Sequence, residues 1–250
     1  MFESSRQGEV TILRMAHGKA NAMSLEFCAA LSTRIEEFRT SSARALVLTG
    51  SGRIFSAGVD LLRLSEGGAP YVRQFLPVLN AMFAAVFNCP KPIVAAVNGH
   101  AVAGGCVLAG AADRRLMARE AGRIGVTELL VGVPFPPIAM EIMRHVLASH
   151  RFETAIFTGA TYAPDDAAAR GLVDEVVGEE ELLARAIAAA QALAALSPPA
   201  FALSKWQTRA VALERVQQSA NVDAQVTALW CADETLARVR DYVARTLKKT

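Results

Sequence analysis

The sequence predicts an α/β fold with an all-helical carboxyl-terminal region. Short apolar segments of strand length alternate with amphipathic helical segments as far as about residue 178. This alternation favours a largely parallel sheet that carries crossover helices. From Glu179 onward no strand pattern remains, and helical patterns extend to Lys249. We therefore divide the 250-residue chain into a core, residues 1–178, and a helical region, residues 179–250.

Two strands and two helices are predicted in the first part of the core. Val10–Met15 and Ala45–Thr49 have the length and apolar content of strands. Met23-Ser24 precedes a segment whose apolar residues recur at helical spacing. Gly67-Gly68-Ala69-Pro70 is interpreted as a flexible loop. After it comes the strongest helical repeat, formed by Val72, Phe75, Leu76, Leu79, Met82, Phe83 and Val86.

The stretch from Pro92 to Asp113 is the one around which we expect the core to be organised. Its strand, Ile93–Val97, is followed by Asn98-Gly99, which we expect to turn the chain because both residues tolerate positive φ. Gly104-Gly105 then opens a helix. The first backbone N–H groups of a helix have no intrahelical partner, and the helix dipole is positive there. This helix start therefore suits an anion, or an oxygen that becomes one.

A second strand-then-glycine segment, RIFSAGVDLL, spans residues 53–62 and follows the strand Ala45–Thr49. A glycine pair alone can simply let a helix pack closely on a strand. Two such segments can instead bring two backbone donors to one point, which is what an oxyanion hole requires.

Later core segments continue the alternation of strands and helices. Arg114–Ala118 predicts a strand, Met140–Met143 lies in a predicted helix, and Val173–Val177 is interpreted as a short strand. Another helix is predicted from Pro164, with Gly171 as its carboxyl cap. In the helical region, residues 179–195 predict an Ala-rich helix, Ser197-Pro198-Pro199 a break, and two further helical segments complete the chain.

Composition and charge argue against several function classes. A net charge of +2 with scattered Lys and Arg does not predict a nucleic-acid surface. No apolar run approaches the roughly 18 residues that span a bilayer. MFESSRQGEV lacks the features of a secretory signal, so we expect a cytoplasmic protein. The four cysteines and four histidines lack metal-ligand spacing, and we expect no metal site.

Glu128 is the candidate general base. It lies in the apolar run IGVTELLVGV, where burial would raise the pKa of its carboxyl group towards the range useful for a base. The alternative, about equally favoured by the residues alone, is that Glu128 caps a helix or pairs with an arginine. Glu141 is expected to be solvated or paired, and Asp60 to hold the glycine loop in shape.

Three segments together resemble the signature segments of the enoyl-CoA hydratase/isomerase (crotonase) superfamily: FSAGVDL, VNGHAVAGG and IGVTELLVGVP. The segment KANAMSLE and the helical region fit the family too, so the resemblance covers nearly the whole chain. It implies a spiral of ββα units with a trimerising helical region. It also implies an acyl-CoA thioester as substrate, no separate cofactor, and a homotrimer or dimer of trimers. The apolar stripe of Leu183, Ile187 and Leu193 is expected to contact another subunit.

The resemblance assigns roles to individual residues. The backbone N–H groups of Val59 and Gly104 would polarise the thioester carbonyl, and Glu128 occupies the position of a catalytic glutamate. The strand around Ala57, Asp60 and Leu61 would line the CoA site. Lys19 or Lys205 would be the contact to the CoA phosphates.

One departure from the family pattern bears on the reaction. Hydratases of the family carry a second catalytic glutamate three residues after the oxyanion glycine, and Val107 stands at that position here. The VGVPFPP segment also resembles the family's Δ3,Δ2-enoyl-CoA isomerases. The resemblance therefore favours isomerisation of 3-enoyl-CoA to 2-enoyl-CoA with one base. The alternatives are a hydratase that uses Glu128 alone or with another acid, and a catalytically silent acyl-CoA-binding subunit.

Overall fold

The computed structural model describes residues 1–120 and 122–246, which form two sheets and eleven α-helices. The strands are β1 (Phe2–Gln7), β2 (Val10–Met15), β3 (Ala45–Thr49), β4 (Ile54–Ser56), β5 (Ile93–Val97), β6 (His100–Val102), β7 (Arg114–Ala118), β8 (Ile124–Gly125) and β9 (Glu175–Val177). The helices are α1 (Leu25–Thr40), α2 (Leu61–Phe87), α3 (Gly104–Ala111), α4 (Glu128–Val131), α5 (Pro137–Val146), α6 (Ser149–Thr158), α7 (Pro164–Ala169), α8 (Leu182–Ala194), α9 (Pro198–Gln217), α10 (Ala220–Cys231) and α11 (Asp233–Thr246).

The larger sheet has the strand order β1-β2-β3-β5-β7-β9, and all its pairs except β1 with β2 are parallel. Every residue of β3 and β5 is buried, as expected for parallel strands covered on both faces. The predicted α/β architecture is therefore confirmed. Strand β1 was missed because FESSRQ is polar and almost wholly exposed, as an edge strand can be.

The smaller sheet is the part of the fold that brings the candidate residues together. Its three short strands, β4, β6 and β8, are parallel neighbours in that order. Because the strands are parallel, their carboxyl ends lie at one edge. Val59 follows β4, Gly104 follows β6 and Glu128 follows β8, each within three residues of its strand.

The Asn98-Gly99 turn forms for a different reason from the one predicted. Neither residue has a positive φ. The Asn98 side chain instead accepts a hydrogen bond from the Gly50 N–H (2.8 Å) and donates one to the Gly52 carbonyl (2.9 Å). At Gly99, a Cβ atom would lie 2.0 Å from the Arg53 carbonyl carbon, so the close approach of two backbones requires glycine.

Helix α2 replaces the flexible loop that was predicted at residues 67–70. The helix begins directly after Asp60 and is interrupted only at Gly68, where φ is 56° and ψ is −153°. Glycine adopts this conformation at little cost, so one residue is enough to bend the helix. The expectation of a loop was wrong because Gly and Pro also occur at helix kinks.

The helical region contains three helices after Ser197 rather than two: α9, α10 and α11. The predicted extension to Lys249 passes beyond Thr246, and its last residues lie outside the described part of the chain. Helix α8 packs on β3, β5 and β7, while α10 and α11 pack on α2. Ile187 of the predicted subunit-contacting stripe is buried, and Leu183 and Leu193 pack against the core of the same chain. That stripe is therefore no indication of a subunit interface, and the domain boundary at residue 178 stays a prediction.

The described residues contain neither a single membrane-spanning helix nor a metal-binding cluster. No single helix there has the length and apolar character needed to cross a membrane. The segments 179–194 and 198–217 reach that threshold only as a pair, and they are bent by 103°. No group of three or more His, Cys, Asp or Glu side chains in the described residues could hold a metal ion.

Candidate active site

The two glycine segments meet at the carboxyl edge of the smaller sheet. Gly58 has a φ of 82°, and a Cβ atom there would lie 2.9 Å from the backbone nitrogen of Gly104. Conversely, a Cβ atom on Gly104 would lie 3.5 Å from the Gly58 Cα and 3.1 Å from the Met23 sulfur. The backbones of the two segments are thus in contact, and their role as an oxyanion hole stays a prediction.

Both predicted donors are free to bind a ligand. In the described part of the chain, neither the Val59 N–H nor the Gly104 N–H donates to a protein acceptor. The N–H groups of Cys106 and Val107, further along α3, are occupied, because both donate to the Ala103 carbonyl. Ala103 itself has a φ of 52° and a ψ of −126°, a conformation that is unfavourable for a residue with a Cβ atom. The ψ angle of Ala103 sets the direction in which the Gly104 N–H points.

Met23, which lies in another part of the chain, holds the segment around Val59 in place through two backbone hydrogen bonds. Its N–H donates to the Gly58 carbonyl (2.8 Å), and its carbonyl accepts from the Asp60 N–H (3.1 Å). These bonds form a parallel bridge between Met23 and Val59. In the sequence, Met23 stands out only as the residue before a helix start and as a member of the KANAMSLE segment.

Glu128 begins α4 and carries a buried carboxylate atom without a partner. Its Oε2 atom is inaccessible to solvent and makes no hydrogen bond, and no ion pair of Glu128 is found among the described residues. Burial raises the pKa of Glu128 to about 7, and the backbone N–H groups of Glu128 and Thr127 offset part of this effect. The structure thus shows no arginine partner for Glu128.

The first turn of α3 lies near Glu128. Burial raises the pKa of the Cys106 thiol, and the negative charge of Glu128 raises it further. Val107, the next residue, is fully buried. The candidate base is therefore close enough to the helix that supplies the Gly104 donor to influence the pKa of Cys106.

The residues expected to line the CoA site follow β4. Ala57 is exposed, while Asp60 and Leu61 are partly buried. The Asp60 carboxylate caps α2 by accepting a hydrogen bond from the Arg63 N–H (3.1 Å). Asp60 thus holds the segment in shape, as its position suggested, and a CoA contact of these three residues stays a prediction.

The two lysines considered for CoA phosphates lie in very different places. Lys205 is 7% exposed, and its Nζ atom lies 2.8 Å from the Asp113 carboxylate, which also binds Arg209 at 2.9 Å. Its ammonium group is committed to this buried cluster, so the expectation that Lys205 binds a phosphate is wrong. Lys19 is exposed and precedes Ala20, whose carbonyl accepts a hydrogen bond from Ala57.

Comparisons with known proteins agree on a family. The profile described as Enoyl-CoA hydratase/isomerase matches residues 5–238. Carnitinyl-CoA dehydratase of Salmonella typhi is 31% identical over 216 residues, 86% of this chain and 82% of that protein.

Solved structures agree with this result. The enoyl-CoA isomerase of Mycobacterium tuberculosis has a TM-score of 0.82 and 31% identity over 90% of this chain and 97% of that one. Human mitochondrial Δ3,Δ2-enoyl-CoA isomerase has a TM-score of 0.94 over 100% of this chain and 99% of that one; at 24% identity this establishes the crotonase fold alone. Because dehydratase and isomerase names both occur, the relatives share a family rather than one reaction. The chain belongs to the enoyl-CoA hydratase/isomerase family of enzymes.

Proposed function

We propose that this enzyme converts 3-enoyl-CoA to 2-enoyl-CoA. The thioester oxygen accepts hydrogen bonds from the Val59 and Gly104 N–H groups. Glu128 removes a proton from C2, and the electron pair of that C–H bond delocalises to give a dienolate whose negative oxygen these two donors stabilise. The dienolate then takes the proton back from Glu128 at C4, which leaves the double bond between C2 and C3.

The observation that carries this proposal is the Glu128 carboxylate, whose Oε2 atom is buried without a hydrogen-bond partner among the described residues. A pKa of about 7 leaves roughly half of the group ionised at neutral pH. Such a carboxylate can both accept a proton and return it. Desolvation also makes the ionised form more reactive, because no cation in the described residues stabilises it.

Isomerisation is favoured over hydration because a second acid is lacking at the expected position. Val107, which is buried and apolar, stands at the position where a hydratase has its second carboxylate. That carboxylate would activate a water molecule or protonate the substrate. Of the other two acids considered, Asp60 caps α2. Glu141 is paired with Arg144 at 3.0 Å and Arg215 at 3.4 Å. One proton-transfer group is sufficient for isomerisation.

Product analysis with labelled substrate tests the proposal. Purified enzyme is given 3-hexenoyl-CoA that carries deuterium at C2, and the product is examined by mass spectrometry and NMR. A single base should deliver part of the deuterium to C4 of 2-hexenoyl-CoA. Formation of 3-hydroxyacyl-CoA as the main product from 2-hexenoyl-CoA would favour hydration, the second candidate, which the dehydratase relative supports. Binding without turnover of either substrate would indicate a silent acyl-CoA-binding subunit.

We also propose that the enzyme assembles as a homotrimer or a dimer of trimers, as the family resemblance implies. Support comes from large apolar side chains that the single chain leaves exposed on α9 and α10: Leu203, Trp206, Val211, Val222 and Leu229. Light scattering at micromolar concentration tests this proposal, and a stable monomer would contradict it.

A further inference from the structure

Asn21 is a buried polar residue in an unusual backbone conformation close to the candidate oxyanion hole. It is 1% exposed and has a φ of 46°. Its Oδ1 atom accepts a hydrogen bond from the His17 N–H (2.8 Å), and its Nδ2 atom donates to the Phe55 carbonyl (3.1 Å). The side chain therefore ties the loop before α1 to the middle of strand β4.

Ser56 adds a second connection between the same two segments. It is fully buried, and its hydroxyl group donates to the Asn21 carbonyl (2.8 Å). The same oxygen accepts a hydrogen bond from the Gly58 N–H (3.2 Å). One hydroxyl group thus connects Asn21 to the residue directly before Val59.

The backbone N–H groups next to Val59 have acceptors within the described part of the protein, whereas that of Val59 has none there. The Ala57 N–H donates to the Ala20 carbonyl (3.0 Å), the Gly58 N–H to Ser56 and the Asp60 N–H to the Met23 carbonyl (3.1 Å). Among residues 57–60, all of them described, the Val59 N–H is the one without an acceptor. Each occupied bond removes a direction in which the segment could rotate, so the network leaves one donor free and fixes its orientation.

We propose that Asn21 and Ser56 are positioning residues, which act through the backbone to hold the Val59 N–H in the orientation that polarises the substrate carbonyl. This inference rests on the proposed function, because it assigns Val59 to the oxyanion hole. Both side chains are shielded from solvent, so in this proposal they act without contacting the substrate. Pre-organised donors contribute to catalysis because they need no rearrangement during the reaction.

The test uses two variants and a matched control. Ser56→Ala removes the hydroxyl group, and Asn21→Gly removes the side chain while keeping a residue that tolerates positive φ. Thr49→Val is the control, because Thr49 is also buried and donates to a backbone carbonyl, that of Ala96, at 2.8 Å. Two properties are measured: kcat and KM for 3-hexenoyl-CoA, and the infrared carbonyl band of bound hexanoyl-CoA labelled with carbon-13 at the thioester carbon.

For the wild type we expect the carbonyl band to move to lower frequency on binding. In Ser56→Ala and Asn21→Gly the band should return towards the frequency of free hexanoyl-CoA, and kcat should fall by about 10- to 100-fold with KM changed far less. Thr49→Val should keep both wild-type values. If Asn21→Gly does not fold, the result for Ser56→Ala alone tests the positioning role, since this variant removes only one oxygen atom.

The outcomes separate this inference from the proposed function. A wild-type band shift that both variants retain would overturn the positioning role and leave the oxyanion hole intact. A wild-type protein that binds hexanoyl-CoA without any band shift would overturn the oxyanion hole and the positioning role together. Because the infrared measurement uses a saturated thioester, it is decisive even if the enzyme proves to be a hydratase.

Discussion

Gly58 and Gly104 lie in such close contact that a Cβ atom on Gly58 would be 2.9 Å from the Gly104 backbone nitrogen. This contact joins two segments that are 46 residues apart in the sequence. It brings the Val59 and Gly104 donors to the same edge of the smaller sheet, at which Glu128 also lies. The candidate site therefore depends on the absence of side chains at these two positions.

Gly58→Ala should lower kcat/KM by about 100-fold or more, because its methyl group would displace the Gly104 donor. The matched control is Gly8→Ala. Gly8 also has a positive φ, 60°, but a Cβ atom there would meet nothing within 4 Å. Both variants pay the cost of a left-handed residue, about 1 kcal/mol. Steady-state kinetics and thermal unfolding distinguish the two effects, and equal activity in both variants would contradict the predicted contact.

Glu128→Gln should lose at least 100-fold in turnover while it still binds hexanoyl-CoA, since the amide cannot accept the C2 proton. The control is Glu141→Gln, which changes a buried glutamate that is paired with arginines. In the wild type, kcat/KM should rise with pH through about 7, the pKa of Glu128. Near wild-type rates in Glu128→Gln would mean that Glu128 is structural.

The raised pKa of Glu128 also predicts how stability depends on pH. Between pH 4.5 and about 7 the unfolded chain ionises this carboxyl group, whereas the folded chain keeps it protonated. Protonated Glu128 therefore stabilises the folded state relative to the ionised form. This stabilisation is fully present below pH 4.5 and is lost as pH rises to about 7, so the free energy of unfolding falls over that range. Glu128→Gln should be more stable than wild type at pH 8, by an amount on the order of 3 kcal/mol, and about equally stable at pH 4.5. Denaturant unfolding at both pH values would measure this, and equal stability at pH 8 would contradict it.

The parallel sheet and most of its helices could be predicted because each depends on local pattern. Strands β3 and β5 are continuous apolar runs, and α2 repeats its apolar residues at helical spacing. The short strands β4, β6 and β8 could not be predicted, because they have two or three residues each and exist only through pairing with one another. That pairing is long-range information that no local pattern contains.

Some residues of the candidate site could likewise be predicted from local sequence, and others could not. Glycines and a glutamate in an apolar run are visible in the sequence, and the family resemblance supplied their roles. Asn21 and Ser56 were missed because their importance lies in hydrogen bonds to each other's segments, 35 residues apart in the chain. The expectation for Lys205 failed because its acidic partner Asp113 is 92 residues away in the sequence.

Asp113→Asn should reduce the free energy of unfolding by about 3–5 kcal/mol, because it leaves two buried cations without their carboxylate. The side chains of Lys205 and Arg209 are only 6% and 4% exposed. Asp165→Asn is the control, since it breaks an exposed ion pair with Arg119 and should cost no more than about 1 kcal/mol. Chemical denaturation compares the two variants. Similar small losses in both would show that the buried cluster contributes little.

The last prediction distinguishes isomerase from hydratase at Val107. This side chain is fully buried on α3, one turn beyond Gly104, on the helix that lies near Glu128. We expect apolar bulk there to exclude the water molecule that a hydratase holds between two carboxylates. Wild type should therefore isomerise 3-hexenoyl-CoA much faster than it hydrates 2-hexenoyl-CoA. Val107→Glu should raise the hydration rate and lower stability by about 1–3 kcal/mol or more, because it buries a new polar group.

Val107→Gln is the matched control for that variant, since it has a similar size but cannot transfer a proton as a carboxylate does. It should lower stability without raising the hydration rate. Both reactions are followed by absorbance of the conjugated thioester and by chromatography of the products. Wild-type hydration as fast as isomerisation would overturn the proposed reaction, and another acid would then have to perform the role of the missing glutamate.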